Sequence, residues 1–136
     1  MVDCFVLRQR YRGIVGVGAW CNGQPIRPSQ VQDPARGVLS TGIPAAARTD
    51  PEAMAALSAR LVRWRKVRMI GSAAAALVNV ASGRADAYHE SGGRLWDVAG
   101  GCAVAAAAGC HVEIQGASLD GPLDVTVTNG LVPLPV

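Results

Sequence analysis

A single carboxylate, Asp97, stands where a bulky aromatic residue gives way to a long run of small apolar residues, in the stretch RLWDVAGGCAVAAAAGC of residues 94–110. The run predicts a helix that begins at Trp96 or Asp97. Three roles fit an aspartate at this place. It is an N-cap for the first helical N–H groups, a hard oxygen ligand for Mg²⁺, or a general base, although no nucleophile is evident beside it.

Two glycines, Gly100 and Gly101, lie inside this predicted helix. In a helix interior each is less favourable than alanine by about 1 kcal/mol. We therefore expect something to approach this part of the helix closely, either a neighbouring backbone or a ligand.

A second candidate site is the corner where the segment KVRMIG meets the segment AAAALVNVAS. The first segment predicts a strand, and the second predicts a helix with Ser72 as its N-cap and Gly83 as its stop. Gly71 lies at the corner between them. Free N–H groups at the start of a helix bind anions readily. An ordinary tight turn between a strand and a helix remains the alternative interpretation.

A third group of polar residues lies on the segment ADAYHE, whose alternation of small and larger side chains predicts a strand. This alternation places Tyr88 and Glu90 on one side, together with Asp86, and His89 on the other. One side of the strand therefore carries two of the chain's acidic residues.

The cysteines give no comparable signal. Cys4, Cys21, Cys102 and Cys110 are far apart and form no CxxC pair, which indicates neither a disulfide framework nor a zinc ribbon. The neighbouring histidines could add nitrogen ligands to a metal site, but their spacings match no standard site. We therefore expect reduced thiols in a cytoplasmic protein.

The elements that must position these residues alternate along the chain. Residues 1–28 indicate extended segments with a tight turn at Asn22–Gly23. Beyond them the pattern predicts the order β-α-β-α-β-α-β-β, which indicates an α/β layered domain with a mixed β-sheet flanked by helices. The predicted strands after residue 36 are GVLSTGIP, KVRMIG, ADAYHE, HVEIQG and DVTVTNG.

The first of the predicted helices has a clear start signal. Thr49 is the expected N-cap, with Glu52 three residues later and a proline in the first turn, which together form a capping box. The apolar residues that follow are spaced by three or four positions, which predicts one buried stripe and leaves the arginines exposed to solvent. The members of this stripe are Met54, Leu57, Leu61 and Trp64.

Composition excludes several classes of protein. The chain has 136 residues, half of them apolar and 17% charged, which is typical of a globular protein and can supply a real core. A net charge of +3 is too small to require nucleic acid as a partner. The longest uncharged run falls short of the roughly 18 residues that a membrane-spanning helix needs. We expect a protein without nucleic-acid or membrane partners.

Four segments in the same order resemble one known family. The stretch VRMIGSAAAALVNVASGRADAYHESGGRLWDVAGG closely resembles the C-terminal half of the inositol monophosphatase family, and WDVAGG is similar to that family's second signature. GVGAWCNGQPIRPS resembles the family's G-x-G-A-x-x-N-G-x-P-I hairpin, and GVLSTGIP resembles the strand after it. Because the resemblance extends over residues 10–130, it is more specific than any one motif.

The resemblance implies roles for five residues. Asp97 would be the aspartate that ligates Mg²⁺ near the phosphate and the attacking water. Glu90 would bind hydroxyl groups of the substrate. Gly71, Ser72 and Ala73 would line the substrate pocket, which agrees with the anion site expected at that corner. In such enzymes metal ions activate water and neutralise charge on the leaving phosphate.

The departures from the family's pattern are equally informative. The family's other metal ligands come from a glutamate-rich segment and from a D-P-x-D-G-T signature, and neither is present here. The short motifs DPAR at Asp33 and LDGP at Leu119 only imitate them. The chain begins near the end of the family's first domain, so we expect an N-terminally truncated member in which the Mg²⁺ site is incomplete.

The resemblance therefore predicts a protein like the Mg²⁺-dependent phosphatases of a polyol or sugar phosphomonoester, inactive or nearly so as this isolated chain. No catalytic residue is assigned. Within the family, a 3′(2′),5′-bisphosphate nucleotidase or a histidinol-phosphatase remains open. The alternative is a non-catalytic remnant domain that binds a partner subunit or a phosphorylated ligand.

The same comparison suggests a domain division and partners. Residues 1–30 would be a remnant β-hairpin from the end of the family's N-terminal domain, and residues 31–136 the C-terminal α/β domain. The expected ligand is a small phosphorylated polyol. Removing half of a layered fold would expose a sheet face and strand edges, so we also expect a homodimer or other self-association through the exposed sheet.

Overall fold

The computed structural model describes residues 1–44, 46–116 and 120–134, and their strands form two separate sheets. The smaller sheet is antiparallel, and its four strands lie in chain order. They are β1 (Val2–Cys4), β2 (Gln9–Ile14), β3 (Gly18–Cys21) and β4 (Gln24–Pro25). The predicted turn at Asn22–Gly23 is confirmed, because both residues have positive φ angles, of 50° and 82°.

The larger sheet is mixed, and its five strands follow the order β6-β5-β7-β9-β8. The strands β6, β5 and β7 are parallel, and β9 pairs antiparallel with both β7 and β8. Their ranges are β5 (Val38–Thr41), β6 (Lys66–Arg68), β7 (Ala87–Gly93), β8 (His111–Gln115) and β9 (Leu123–Thr128).

Three α-helices complete the part of the chain that the structure describes: α1 (Pro51–Leu61), α2 (Ala73–Ala81) and α3 (Leu95–Ala108). The predicted order β-α-β-α-β-α-β-β after residue 36 is confirmed, and so is the α/β fold with a mixed sheet. The helices α2 and α3 pack against each other and contact both sheets. They form the middle layer of the molecule.

The cap of α1 was predicted one residue too early. Asp50, not Thr49, is the N-cap, and its side chain accepts from the N–H of Glu52 at 2.9 Å. Asp50 precedes Pro51, and the residue before a proline is disfavoured in helical geometry. With φ of −111° and ψ of 112°, Asp50 lies outside the helix and can cap it.

The apolar stripe of α1 is only partly as predicted. Leu57 and Trp64 are buried, but Met54 is 42% exposed, and α1 ends at Leu61 before Trp64. Leu61 and Trp64 pack on the face of the large sheet that is opposite to α2 and α3. The end of α1 therefore covers that second face.

The strand β7 extends further than the segment ADAYHE. A bulge interrupts its end, because Ser91 pairs with Asp124 and Gly93 with Leu123, with Gly92 between them at a φ of 83°. The predicted alternation holds from Ala87 onward, whereas Ala85, which precedes the strand, was expected on the side of Ala87 and belongs to the same core as Tyr88. Tyr88 faces the core shared with α2 and α3, whereas Ala87 faces the core on the α1 side.

One core joins the two sheets. Tyr11 and Ala19 from the small sheet belong to the same buried cluster as Leu77 of α2, Val104 of α3 and Val125 of β9. The first 25 residues thus form a four-stranded sheet, rather than a hairpin alone. This sheet shares one buried core with the helices α2 and α3 and the large sheet. The division at residue 30 stays a prediction.

The two glycines of α3 serve helix packing. A Cβ built on Gly101 would lie 2.7 Å from both Cβ and Cδ1 of Leu77 in α2. A Cβ on Gly100 would lie 3.2 Å from the carbonyl oxygen of Met1. Since a side chain and a backbone atom occupy this space, the expected close neighbour is the protein itself.

We predict that Gly101→Ala lowers the free energy of unfolding by about 1–2 kcal/mol, because overpacking typically costs 1–3 kcal/mol. Helix propensity alone would raise it by about 1 kcal/mol. Urea denaturation measures the difference, and Ala99→Gly on the exposed side of α3 calibrates the propensity effect in this helix. A more stable Gly101→Ala protein would contradict the packing described here.

His89 is buried on the α1 side of the large sheet. Its Nδ1 lies 2.9 Å from Oγ1 of Thr126, and its Nε2 has no hydrogen-bond partner among the described residues. Burial, together with the nearby Arg60 guanidinium, lowers the pKa of His89 to about 4, although Asp124 opposes this shift. The imidazole is therefore neutral in the folded protein at neutral pH.

This burial predicts a loss of stability in acid. The unfolded chain takes up a proton near pH 6.5, but folded His89 does so only near pH 4, so the free energy of unfolding falls as the pH drops between these values. The loss reaches about 3 kcal/mol. We expect His89→Gln to remove this slope in denaturation curves and His111→Gln, at an exposed site, to retain it. An unchanged slope in His89→Gln would contradict the assignment.

Candidate functional site

The candidate site is a cleft of about 690 Å³ at the carboxyl ends of the parallel strands β5, β6 and β7. The loop after β5 leads to α1 on one face of the sheet, and the loop after β6 leads to α2 on the other. Where neighbouring loops depart to opposite faces, an open α/β sheet leaves a crevice in which ligands bind. The cleft lies at this crevice.

All five residues singled out in the sequence line this cleft. The corner formed by Gly71, Ser72 and Ala73 lies on one side, Glu90 comes from β7, and Asp97 comes from the first turn of α3. These residues are as far apart as 26 positions in the chain. The structure brings them together, but the role of each stays a prediction.

Asp97 is not an N-cap. The helix α3 begins at Leu95, two residues before Asp97, and its cap residue is Arg94, whose side chain makes no capping hydrogen bond. Arg94 directly follows Gly93, the last residue of the strand β7, and keeps the extended geometry of a strand. Asp97 is therefore the third helical residue, exposed to solvent, and its carboxylate makes no hydrogen bond or ion pair with the described part of the chain.

The corner before α2 has the geometry expected of an anion site. Ser72 is the N-cap, as predicted, and its Oγ accepts from the N–H of Ala75 at 3.4 Å. Gly71 has a φ of 77°, which a side chain would strain. The N–H groups of Ala73 and Ala74 have no partner within the described residues. The positive end of the helix thus borders the cleft.

Glu90 is half-buried and held in place. The Tyr88 hydroxyl donates to Oε2 of Glu90 at 2.8 Å. On the other side the carboxylate lies against Gly42, where an added Cβ would be 2.6 Å from Oε1. Burial, and then the Glu90 charge, raise the pKa of Tyr88 far above its ordinary value, so its phenol remains a donor.

Several lining residues were missed by the sequence analysis. Gly42 and Arg48 come from the loop after β5, and Tyr88 and Trp96 neighbour the predicted residues. Trp96 is 69% exposed. Gly42 lies in the segment GVLSTGIP, which was predicted only as a strand and not as part of a cleft.

The described residues of the motifs expected to be imitations do not line the cleft. Asp33 caps a short 3₁₀ turn, where its side chain accepts from the N–H of Ala35 at 2.9 Å. The described part of LDGP begins at Asp120, whose carbonyl oxygen accepts from Arg94 Nη1, while Leu119 lies outside the described residues.

A larger hollow, of about 920 Å³, lies on the small sheet. It is lined by Arg8, Arg10, Arg12, Trp20 and by Asp3, whose carboxylate is paired with Arg10 at 2.7 Å. None of the five predicted site residues lines this hollow. The smaller cleft, where the free carboxylate of Asp97 and the half-buried Glu90 lie near the start of α2, is chemically the better candidate.

The fit of a metal ion can be judged from these residues. Asp97 supplies one free carboxylate, and Mg²⁺ often takes only one or two from a protein. Among the described ranges, however, no three His, Cys, Asp or Glu residues are grouped closely enough to hold a metal ion. The residues present do not form a complete metal centre, and His89, Cys102, Cys110 and His111 do not form one either.

The fold and the cleft define a layered α/β protein with an acidic crevice beside a helix N-terminus. Comparison with known proteins identifies the family to which it belongs. The profile of the inositol monophosphatase family matches residues 1–134. Inositol monophosphatase 1 from Rattus norvegicus is 36% identical over 121 residues, which cover 85% of this chain and 42% of that protein.

Solved structures agree. The inositol monophosphatase from Anabaena (Nostoc) sp. PCC 7120 superposes with a TM-score of 0.79 at 32% identity and covers 92% of this chain and 51% of that one. SaIMPase-II with bound 2′-AMP superposes with a TM-score of 0.81 at 26% identity, over 95% of this chain and 51% of that one.

The chain belongs to the inositol monophosphatase family, a family of phosphatases. It spans about half the length of the relatives it matches. No helix within residues 1–44, 46–116 and 120–134 has the length and apolar character to cross a bilayer.

Proposed function

We propose that this chain forms the substrate-facing part of a phosphatase site for a small phosphorylated polyol. The observation that carries the proposal is the single cleft that joins the start of α2, Glu90 and the free Asp97 carboxylate. In this scheme the phosphate binds at the N–H groups of Ala73 and Ala74, and Glu90 accepts hydrogen bonds from hydroxyl groups of the polyol.

Asp97 has a separate task in this proposal. Its exposed carboxylate borders the cleft and has no partner among the described residues, so it would be one oxygen ligand of a Mg²⁺ ion bound there. A bound Mg²⁺ would supply an activated water and charge neutralisation. Because Asp97 is the one carboxylate without a hydrogen bond among the described residues that line the cleft, we expect the isolated 136 residues to hold the ion only in the millimolar range and to turn over little or no substrate.

We predict that the purified chain binds inositol 1-phosphate more tightly when Mg²⁺ is present and that Asp97→Asn abolishes this enhancement. Asp120→Asn, which changes an exposed aspartate outside the cleft, is the matched control and should retain it. Calorimetric titrations at several Mg²⁺ concentrations measure the effect. Absence of binding, or equal enhancement in Asp97→Asn, would contradict the proposed site.

An assay of phosphate release tests whether the isolated chain is catalytically active. We expect no Mg²⁺-dependent release from inositol 1-phosphate above background. Release that depends on Mg²⁺ and disappears in Asp97→Asn would show that these residues suffice for catalysis. Including 2′-AMP, a bisphosphorylated nucleotide and histidinol phosphate in the titrations distinguishes the alternative specificities within the family.

A second candidate function is non-catalytic binding of a partner subunit, including a second copy of the chain. Exposed apolar residues in the two turns that flank β2 favour it, since Phe5 is 82%, Val6 97% and Val17 71% exposed. We predict concentration-dependent self-association in light scattering, weakened by Phe5→Ser together with Val17→Ser. A monomer at all concentrations would contradict self-association. We place either function in the cytoplasm, where the four free thiols would stay reduced.

A further inference from the structure

The polyol side of the cleft contains a carboxylate that is fixed before any ligand binds. The Tyr88 hydroxyl is almost completely buried and donates to only one of the two Glu90 oxygens, Oε2, at 2.8 Å. Oε1 has no hydrogen-bond partner in the described part of the chain. One oxygen is therefore occupied by the protein, and the other remains available as an acceptor.

Gly42 fixes the same carboxylate from the opposite side. A Cβ at this position would lie 2.6 Å from Oε1, 2.7 Å from Cδ and 3.0 Å from Oε2 of Glu90. The φ angle of Gly42 is outside the left-handed region, so its backbone does not require glycine. The space taken by Glu90 is what excludes a side chain there.

The register of the sheet explains why these residues meet. Thr41 at the end of β5 pairs with His89 of β7, so the next residue, Gly42, lies beside Glu90. Thr41 reinforces this pairing, because its Oγ1 donates to the His89 carbonyl oxygen at 2.6 Å. The position of the Glu90 carboxylate thus depends on two neighbouring strands and not on its own strand alone.

We propose that Tyr88 and Gly42 are positioning residues that aim Glu90 Oε1 at a hydroxyl group of the bound polyol phosphate. This inference rests on the proposed function and adds the residues that set its preference for a hydroxylated ligand over phosphate itself. Neither residue touches the ligand in this scheme. Both act through Glu90, because a carboxylate held in one orientation loses less conformational entropy when it accepts the ligand's hydrogen bond.

The test compares inositol 1-phosphate with inorganic phosphate, both titrated calorimetrically in the presence of Mg²⁺. Tyr88→Phe and Gly42→Ala should each weaken binding of inositol 1-phosphate about 5- to 10-fold, the effect of losing one well-placed hydrogen bond. Binding of inorganic phosphate should stay within about twofold. Tyr11→Phe removes an equally buried phenol outside the cleft and should change neither affinity.

A merely structural role of Tyr88 would give a different affinity pattern when Tyr88→Phe is combined with Glu90→Gln. If Tyr88 acts through Glu90, Tyr88→Phe has no further effect once Glu90→Gln has been introduced. Equal losses in both backgrounds would overturn the proposal, and so would full affinity for inositol 1-phosphate in Tyr88→Phe and Gly42→Ala.

The outcomes also separate this inference from the function on which it rests. A parent chain that binds inositol 1-phosphate no better than inorganic phosphate refutes a polyol-binding role for Glu90 and, with it, the positioning roles. A parent that discriminates, with variants that discriminate equally well, refutes only the positioning roles. Thermal melts of each variant identify any that fail to fold. Gly42 lies in the loop after β5 and Tyr88 in β7, so either single substitution alone suffices for the test.

Discussion

Close packing around α3 is the constraint on which the rest of the structure depends. Gly101 lets Leu77 of α2 approach on one side, and a Cβ on Gly13 of the small sheet would lie 2.7 Å from Cβ of Ala107 and 2.9 Å from Cα of Val104. A helix of small residues can thus lie between two sheets and beside another helix. Its first turn is thereby fixed at the cleft, where Asp97 lies.

The parallel strands supply the other half of the site. Because the loops after β5 and β6 leave toward opposite faces, the start of α2 and the end of β5 border one crevice. Asp86, just before β7, connects this strand to the start of β5. Its carboxylate accepts from the Val38 N–H at 2.6 Å and from the Ser29 hydroxyl. The strand β7 then carries Tyr88 and Glu90 toward the crevice. Packing and topology together, rather than any one motif, assemble the residues expected to bind ligand.

Local patterns predicted the elements well, because glycines, prolines and caps mark their ends directly. They failed where two signals competed: Thr49 and Asp50 are both good caps, and only the proline after Asp50 decides between them. The start of α3 was missed because Arg94 gives no capping signal. Gly42 could not be linked to Glu90 from sequence, since their contact depends on the register between β5 and β7.

We propose that phosphorylated polyols bind in the cleft between α2, β7 and α3 and not in the larger hollow on the small sheet. Amide chemical shifts in ¹⁵N spectra, recorded during titration with inositol 1-phosphate and Mg²⁺, test this directly. We expect the largest changes at Ser72, Ala73, Glu90 and Asp97. Changes confined to Arg10, Arg12 and Trp20, or no changes at all, would contradict it.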